Sequence, residues 1–341
     1  MASFRNEIVV ATAADEGYVR PLAVTFRSAL DTLAPDSRIR LFVLDGGITP
    51  ESRARLEDSW NDPRLTVEWR PQELAEFEKL PLCGHVNAVT YLRLRLAEML
   101  PADVDRAIYI DADMLVRRDL TELWNEPQGD SPVLTVQEYA APWIDAEVSA
   151  PNYEAIRPYL AAIHPIRNYK ELGIRSSAPY FNAGMMVINL AQWREEGATE
   201  KLMQCVRENA EHVLWWDQYV LNVVFADRWR MLDHRWNFGA HLLVYPSWNL
   251  SPFTKEQYHL FKTEPWIVHF CSPIKPWHDG CQHPFTAAYF ETLDRTAWAG
   301  WRPEPAPEVR LQIAKERRRM LKRSLKQSLR SMVKGLWRKA G

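Results

Sequence analysis

Residues 107–118 read AIYIDADMLVRR, an apolar run that ends in two aspartates one residue apart. Residues 107–111 have the short apolar pattern of a buried strand. Side chains two positions apart on a strand leave the backbone on the same side, so Asp111 and Asp113 are predicted to converge on one point. Adjacent carboxylates repel each other unless a cation lies between them, and hard oxygen donors suit Mg²⁺ or Mn²⁺. The stretch therefore predicts a metal site at the end of a core strand.

Six other apolar runs and four helix-like segments set the expected fold. The predicted strands, besides residues 107–111, are residues 7–13, 39–45, 65–69, 132–138, 184–190 and 266–271. Apolar residues at three- and four-residue spacing predict helices at residues 18–33, 50–60, 88–100 and 212–226. This alternation predicts an α/β fold with a mostly parallel central sheet and flanking helices. Ligands of such folds bind beyond the carboxyl ends of the strands, where Asp15, Asp45 and Asp111 are expected.

Length and composition predict a soluble chain with a large core, because 47% of the 341 residues are hydrophobic and 25% are charged. The sequence contains no run of 18 apolar residues, and its N-terminal apolar stretch leads directly into acidic residues, unlike a signal peptide. Four cysteines are too few for a disulfide scaffold in a chain of this length. We therefore expect a cytoplasmic protein.

Composition and charge predict three regions: an acidic domain over residues 1–300, a stiff Pro-rich linker over residues 301–308 and a basic tail over residues 309–341. Residues 306–341 contain 12 Lys and Arg against 2 Asp and Glu, whereas the rest of the chain contains 30 against 42. From residue 309 onward, apolar residues follow one helical stripe among the basic ones, which is typical of a helix lying on a membrane surface.

The basic tail is expected to bind an anionic membrane, because each basic residue near such a surface contributes about 1 kcal/mol. This predicts peripheral association with the inner leaflet of the plasma membrane. A basic helix packed on the acidic domain and a nucleic-acid contact are the alternatives. We expect no nucleic-acid partner, because an apolar stripe has no use against phosphates.

The paired aspartates alone leave other interpretations open. They could be solvated loop residues, or Asp113 could cap a turn. A strand that ends in D-x-D also begins the haloacid-dehalogenase phosphatases, in which the first aspartate is a nucleophile. Those enzymes carry the pair near the N-terminus with a small hydroxyl or β-branched residue two places later, where this chain has Leu115. A structural zinc site is a further candidate, although its five residues fit no familiar spacing: His269, Cys271, His278, Cys281 and His283.

Three later segments occur in register with the first one: YFNAGMMVINLAQW at residues 180–193, WWDQYVLNVVF at 215–225 and VHFCSPIKPWH at 268–278. Together they resemble the family 8 glycosyltransferases, retaining enzymes of the GT-A fold that include bacterial lipooligosaccharide α-galactosyltransferases. The likeness extends over residues 7–284. It implies a hexosyltransferase that moves galactose or glucose from a UDP-sugar to a hydroxyl of a surface glycan or glycolipid, such as a lipopolysaccharide precursor. The alternative is a non-catalytic protein that only binds a nucleotide sugar.

The resemblance also implies a metal site and a nucleotide-sugar site. Asp111, Asp113 and His269 correspond to the family's ligands to Mn²⁺, for which Mg²⁺ could substitute. The implied contacts to the nucleotide sugar are Ala13, Asp15, Asp111, Ala112, Asn182 and Lys275. Among these, Lys275 is expected to hold the β-phosphate, and Asp15 to accept the N3–H of uracil. Gly17 departs from the asparagine that family members often have there.

The resemblance implies three catalytic residues, namely Gln218, Asp217 and Arg93. Asp217 is expected to hold hydroxyls of the donor sugar, with Gln218 near the anomeric carbon. Arg93 is expected to brace the donor and Asp111. Because an amide is a poor nucleophile, we favour front-face attack over a covalent glycosyl-enzyme.

The region over residues 138–178 is longer than the corresponding region of the bacterial galactosyltransferases that the chain resembles. They include Trp143, Tyr153, Tyr159 and Tyr169. Aromatic faces suit sugar rings, so the region could form a lid or an acceptor wall, but most aromatic side chains in a chain with 15 Trp belong to the core. The acceptor is left open.

Overall fold

The structure is a computed structural model that describes residues 6–82 and 88–311, together with residues 314, 315 and 318. Its strands are β1 (Asn6–Ala14), β2 (Ser37–Asp45), β3 (Leu65–Pro71), β4 (Arg106–Ile110), β5 (Met114–Val116), β6 (Val133–Gln137), β7 (Phe181–Asn189), β8 (Arg230–Met231), β9 (Phe238–Gly239) and β10 (Ile267–His269). Its α-helices are α1 (Val19–Thr32), α2 (Pro50–Ser59), α3 (Leu96–Met99), α4 (Leu120–Trp124), α5 (Ala146–Ser149), α6 (Tyr153–Ile156), α7 (Leu190–Glu195), α8 (Ala198–Glu208), α9 (Trp216–Val224), α10 (Lys255–Thr263) and α11 (Thr286–Leu293).

Seven strands form the central sheet in the order β3-β2-β1-β4-β7-β6-β8. Strand β7 runs antiparallel to its neighbours β4 and β6, and the remaining pairs are parallel. A small second sheet has the order β5-β10-β9. The α/β fold with a largely parallel sheet and flanking helices is therefore confirmed, and each of the seven predicted strands is present.

The inner strands of the central sheet are buried on both faces, which explains why they read as continuous apolar runs. Successive residues of β1 pack into different clusters: Val10 joins the cluster that includes Leu22 and Phe26 of α1, and Ala11 joins the cluster that includes Leu202 of α8. All of these side chains are fully buried. Helix layers on both faces leave the carboxyl end of the sheet as the open edge.

Two local predictions were wrong in detail. The segment 88–100, predicted as one α-helix, forms a 3₁₀ helix over Ala88–Arg95 and then α3. Asp111 and Asp113 do not lie on a strand, because β4 ends at Ile110 and a turn follows it. Thr25 of α1 holds that turn: its Oγ1 lies 2.8 Å from the carbonyl oxygens of Ala112 and Met114 and accepts from the backbone N–H of Met114 at 3.1 Å. The two carboxylates converge because of this turn and not because of strand alternation.

Most of the predicted tail lies outside the described residues. Residues 307–311 are helical, and Arg310 forms a bidentate contact with Asp279 at 2.6 and 2.7 Å. Within the part of the chain that the structure describes, no helix combines the length and apolar character needed to cross a membrane.

Candidate active site

A cavity of about 560 Å³ opens at the carboxyl ends of β1 and β4. Residues from these strand ends, the 3₁₀ helix Ala88–Arg95, the start of α9 and the loop after β10 line its wall. Every site residue expected from the sequence is among them: Ala13, Asp15, Arg93, Asp111, Ala112, Asp113, Asn182, Asp217, Gln218, His269 and Lys275. Residues separated by more than 250 positions in sequence thus surround one space.

Asp111, Asp113 and His269 form a cluster whose ligand atoms all lie within 4.8 Å of one another. Nε2 of His269 lies 3.3 Å from Oδ1 of Asp113 and 3.7 Å from Oδ2 of Asp111. Two carboxylates with one imidazole suit Mn²⁺ or Mg²⁺, whose remaining positions are commonly filled by phosphate oxygens or water. The donor set therefore fits the expected cation.

Gly184 of β7 makes this cluster sterically possible. A Cβ atom at this position would lie 2.4 Å from Cε1 of His269 and 2.7 Å from Oδ2 of Asp111. Such distances are far shorter than van der Waals contact. The glycine that opens the segment GMMVINL therefore lets the strand pass directly behind the cluster.

Lys275 supplies positive charge beside the cluster, since its Nζ lies 2.5 Å from Oδ2 of Asp113. Burial opposes ionisation of both groups. The Lys275 ammonium and His269 nevertheless hold the pKa of Asp113 well below its ordinary value, and Asp113 raises the pKa of Lys275. Both side chains are therefore charged at neutral pH, and an ammonium at this position can pair with an anionic ligand.

Arg93 lies buried between two carboxylates. It donates to Oδ1 of Asp111 at 2.7 Å and to the carbonyl oxygen of Ala183 at 2.7 Å, and its Nε lies 3.1 Å from Oδ2 of Asp217. The pKa of Asp217 is raised, because the effect of burial exceeds the opposing effect of Arg93. The guanidinium thus links the metal cluster to the start of α9.

Hydrogen bonds fix the orientation of the His269 ring. The backbone N–H of Gly184 donates to Oδ1 of Asn182 at 2.9 Å, which identifies the oxygen of that amide. The same oxygen accepts from Nδ2 of Asn237 at 2.9 Å, so Oδ1 of Asn237 faces Nδ1 of His269 at 3.1 Å. Because an amide oxygen only accepts, Nδ1 donates to it, and Nε2 is the ring nitrogen that faces the carboxylates.

Glu138 extends this network towards α9. Its Oε2 accepts from Nδ2 of Asn182 at 2.6 Å and from Nε2 of Gln218 at 3.3 Å. The other end of the Gln218 amide accepts from the backbone N–H of Ala183 at 3.0 Å. The Gln218 side chain is thus held at both ends, and its carbonyl oxygen is already engaged.

Glu138 and Asn237 were missed by the sequence analysis. Glu138 directly follows strand β6, so it meets the rule that selected the acidic residues after β1, β2 and β4. Asn237 lies in a short 3₁₀ helix, His234–Asn237, and no pattern in the sequence marks it. Its importance follows only from its contact with the His269 ring.

Asp15 and Asp45, the other two acidic residues expected at strand ends, have different roles. Asp15 lines the cavity and precedes a 3₁₀ helix, Glu16–Tyr18, without a capping hydrogen bond from its side chain. Asp45 does not line the cavity. Its carboxylate accepts from the backbone N–H groups of Gly47 and Ile48 and pairs with Arg53, so it stabilises a turn.

The remaining candidates do not form sites in the described part of the chain. Asp111, Asp113 and His269 are the metal-capable cluster found there, and the Cys/His group proposed for zinc forms none. The aromatic residues of the 138–178 region do not line the cavity, because Tyr159 and Tyr169 are buried and Trp143 and Tyr153 pack against the core. Trp215 and Trp216 contribute aromatic surface instead.

Comparisons with known proteins agree with this geometry. Residues 9–281 match the family described as "Glycosyl transferase family 8". General stress protein A of Bacillus subtilis is 28% identical over 298 residues, which cover 86% of this chain and 96% of that protein. Lipopolysaccharide 1,3-galactosyltransferase of Salmonella typhimurium is 21% identical over 296 residues, which cover 85% and 79%. The solved structure of galactosyltransferase LgtC with donor and acceptor sugar analogues has a TM-score of 0.68 at 25% identity, covering 87% of this chain and 98% of that one.

Proposed function

The chain belongs to glycosyltransferase family 8, and we propose that it transfers galactose or glucose from a UDP-sugar to a hydroxyl of a surface glycan or glycolipid. Membership of the family, with residues 9–281 matched, makes the chain a hexosyltransferase rather than a phosphatase or a non-catalytic binding protein. One observation carries the proposal. The metal-capable cluster, the Lys275 ammonium and the side chains of Asn182, Asp217 and Gln218 all line a single cavity.

We propose that Asp111, Asp113 and His269 hold Mn²⁺, with Mg²⁺ as a substitute. When bound, the cation supplies Lewis-acid neutralisation of the charge that develops on the departing diphosphate. Lys275 pairs with the β-phosphate as a second positive charge. The proximity of Lys275 to Asp113 supports this assignment, because both then face the same diphosphate.

Asp15 is proposed to accept the N3–H of uracil, with Ala13 and Ala112 against the nucleoside. A carboxylate at this position discriminates against cytosine, whose N3 cannot donate. Its location at the cavity supports this assignment.

Front-face transfer is the mechanism that the contacts of Gln218 favour. The bond between the anomeric carbon and the diphosphate breaks, the acceptor oxygen bonds to that carbon on the same face, and the leaving diphosphate takes the acceptor's proton. Gln218 is held by hydrogen bonds from the backbone N–H of Ala183 to its carbonyl oxygen and from its amide nitrogen to Glu138, and an amide is a poor nucleophile. Asp217 is proposed to hold sugar hydroxyls, and Arg93 positions Asp217.

A lipopolysaccharide precursor is the acceptor class that we propose. Relatives named lipopolysaccharide 1,3-galactosyltransferase and lipopolysaccharide glucosyltransferase WaaO support it.

We further propose that the enzyme works in the cytoplasm at the inner leaflet, held by the basic tail. A chain ending at Leu311 keeps the contact between Arg310 and Asp279, and it should no longer sediment with anionic vesicles. Equal sedimentation of the two chains would remove the tail from this role.

The experiment that tests the function measures UDP release by the purified enzyme with Mn²⁺ across a panel of UDP-sugars. We expect one hexose donor to be hydrolysed slowly without acceptor, with the activity lost in Asp113→Ala and after removal of the metal by a chelator. Asp103→Ala, a substitution at an exposed carboxylate, is the matched control and should keep full activity. Metal-independent release, or release unchanged in Asp113→Ala, would contradict the proposal.

A further inference from the structure

A second cavity of about 490 Å³ adjoins the first one. Residues of the 138–178 region form most of its wall, and Leu214 closes it. Ala161 lines both cavities, and Leu214 directly precedes the two tryptophans of the first cavity. The second cavity, here called the side groove, therefore continues outward from the site where the sugar is transferred.

The lining of the side groove is basic. Among the described residues it includes Arg157, His164 and Arg167 and no carboxylate. One lining residue, His164, has an acidic neighbour: Oδ1 of Asp145 lies 3.3 Å from its Nε2, and Oδ2 of Asp145 accepts from the Tyr169 hydroxyl at 2.8 Å. Asp145 is buried, and its carboxylate is committed to these partners and to the first turn of α5.

The two groove arginines differ from other arginines nearby. Arg175, Arg228 and Arg230 each pair with a carboxylate. The guanidinium groups of Arg157 and Arg167 form no hydrogen bond or salt bridge with any residue in the described ranges, and that of Arg157 lies 5.9 Å from the centroid of the Tyr153 ring. Two unpaired guanidinium groups facing one groove leave ten N–H donors in total available for an external anion.

We propose that the side groove binds an oxyanion, a phosphate ester or a carboxylate, carried by the acceptor. This inference rests on the proposed function, which assigns the diphosphate of the donor to Lys275, a residue that lines the first cavity and not the side groove. An anion in the side groove therefore belongs to the other substrate. Guanidinium groups match the geometry of both oxyanions and form charge-assisted hydrogen bonds with them. Leu160, Ile163 and Leu214 give the groove an apolar floor for the carbon skeleton next to that anion.

Three disaccharides that differ only at one end test this inference: lactose, lactose 1-phosphate and lactobionate. Their binding to enzyme loaded with UDP and Mn²⁺ is measured by isothermal titration, in the wild type and in an Arg157→Ala/Arg167→Ala variant. We expect at least one anionic sugar to bind about tenfold more tightly than lactose, and the double variant to lose that difference. Comparison of the affinities for lactose 1-phosphate and lactobionate identifies the favoured oxyanion. Arg175→Ala, which removes an exposed and paired arginine of the same region, should keep the preference.

UDP binding separates failure of this inference from failure of the proposed function. An enzyme that does not bind UDP lacks the proposed donor site altogether. If UDP binds but the three sugars bind equally, or none binds detectably, the side groove has no anion specificity and the inference is wrong. The same conclusion follows if the double variant keeps the wild-type preference for an anionic sugar.

Discussion

Oδ1 of Asn237 lies 3.1 Å from Nδ1 of His269 and, through that contact, decides which ring nitrogen faces the paired aspartates. Partners of this kind orient a histidine ligand and typically change metal affinity by about 10- to 100-fold when removed. Asn237→Ala should therefore weaken Mn²⁺ binding by about tenfold or more while the chain stays folded. Isothermal titration with Mn²⁺ measures this effect. Asn249→Ala, at an exposed position, should bind Mn²⁺ like the wild type.

Glu138 is the second residue whose role follows from contacts alone. It receives hydrogen bonds from the side-chain amides of Asn182 and Gln218, so Glu138→Ala leaves both amides without this acceptor. We expect kcat for sugar transfer or donor hydrolysis to fall by about 10- to 100-fold, because the two amides that we propose to face the sugar lose their orientation. The affinity for UDP should change little.

A matched control exists for Glu138 in the same region. Glu147 is exposed, and Glu147→Ala should leave both kcat and UDP affinity unchanged. If Glu138→Ala weakens UDP binding as strongly as it lowers kcat, its effect is on the fold of the site and the positioning role is wrong.

Arg93 should be essential for stability as well as for activity. Removal of one partner from a buried ion pair costs about 3–5 kcal/mol, and Arg93→Met would leave two carboxylates without their shared cation. Urea unfolding measures the loss of free energy. Arg95→Met is the control, because Arg95 forms partly exposed pairs with Glu76 and Glu98, which are worth at most about 1 kcal/mol. An equal decrease in the free energy of unfolding in the two variants would show that burial of the Arg93 ion pairs does not add to stability.

The central sheet could be predicted from the sequence because its inner strands are buried on both faces and therefore stand out as apolar runs. The 3₁₀ helix Ala88–Arg95 could not, because three-residue apolar spacing fits both kinds of helix. Arg93 sits on that segment among buried apolar residues, and only the fold shows the two carboxylates that it meets. Local spacing thus identifies elements, whereas the pairing of distant charges requires the assembled structure.

The same distinction applies to the site. Asp111 and Asp113 could be selected because two carboxylates after an apolar run are unusual, although a turn and not the strand brings them together. The side groove could not be predicted, since Arg157 and Arg167 lie ten positions apart in a region whose sequence has no periodic pattern of apolar residues. Their proximity depends on how residues 138–178 fold over the edge of the first cavity.

His234 should make stability depend on pH. It is buried, its ring stacks on Phe261 with centroids 4.9 Å apart, and its Nε2 has no hydrogen-bond partner among the described residues. Burial lowers its pKa from 6.5 to about 4. Between these two values the unfolded chain binds a proton that the folded chain does not. The stabilisation is therefore complete above pH 6.5 and is lost progressively as the pH falls towards 4.

The variant His234→Phe keeps the stacked ring and removes the titrating group. The decrease in the free energy of unfolding between pH 7 and pH 4.5 should be smaller than in the wild type by about 2 kcal/mol. Denaturant unfolding at a series of pH values measures this difference, and contributions from other titrating groups cancel because both chains share them. His259→Phe, at an exposed position on α10, should keep the wild-type dependence. Parallel curves for His234→Phe and the wild type would mean that His234 is protonated equally in the folded and unfolded chains.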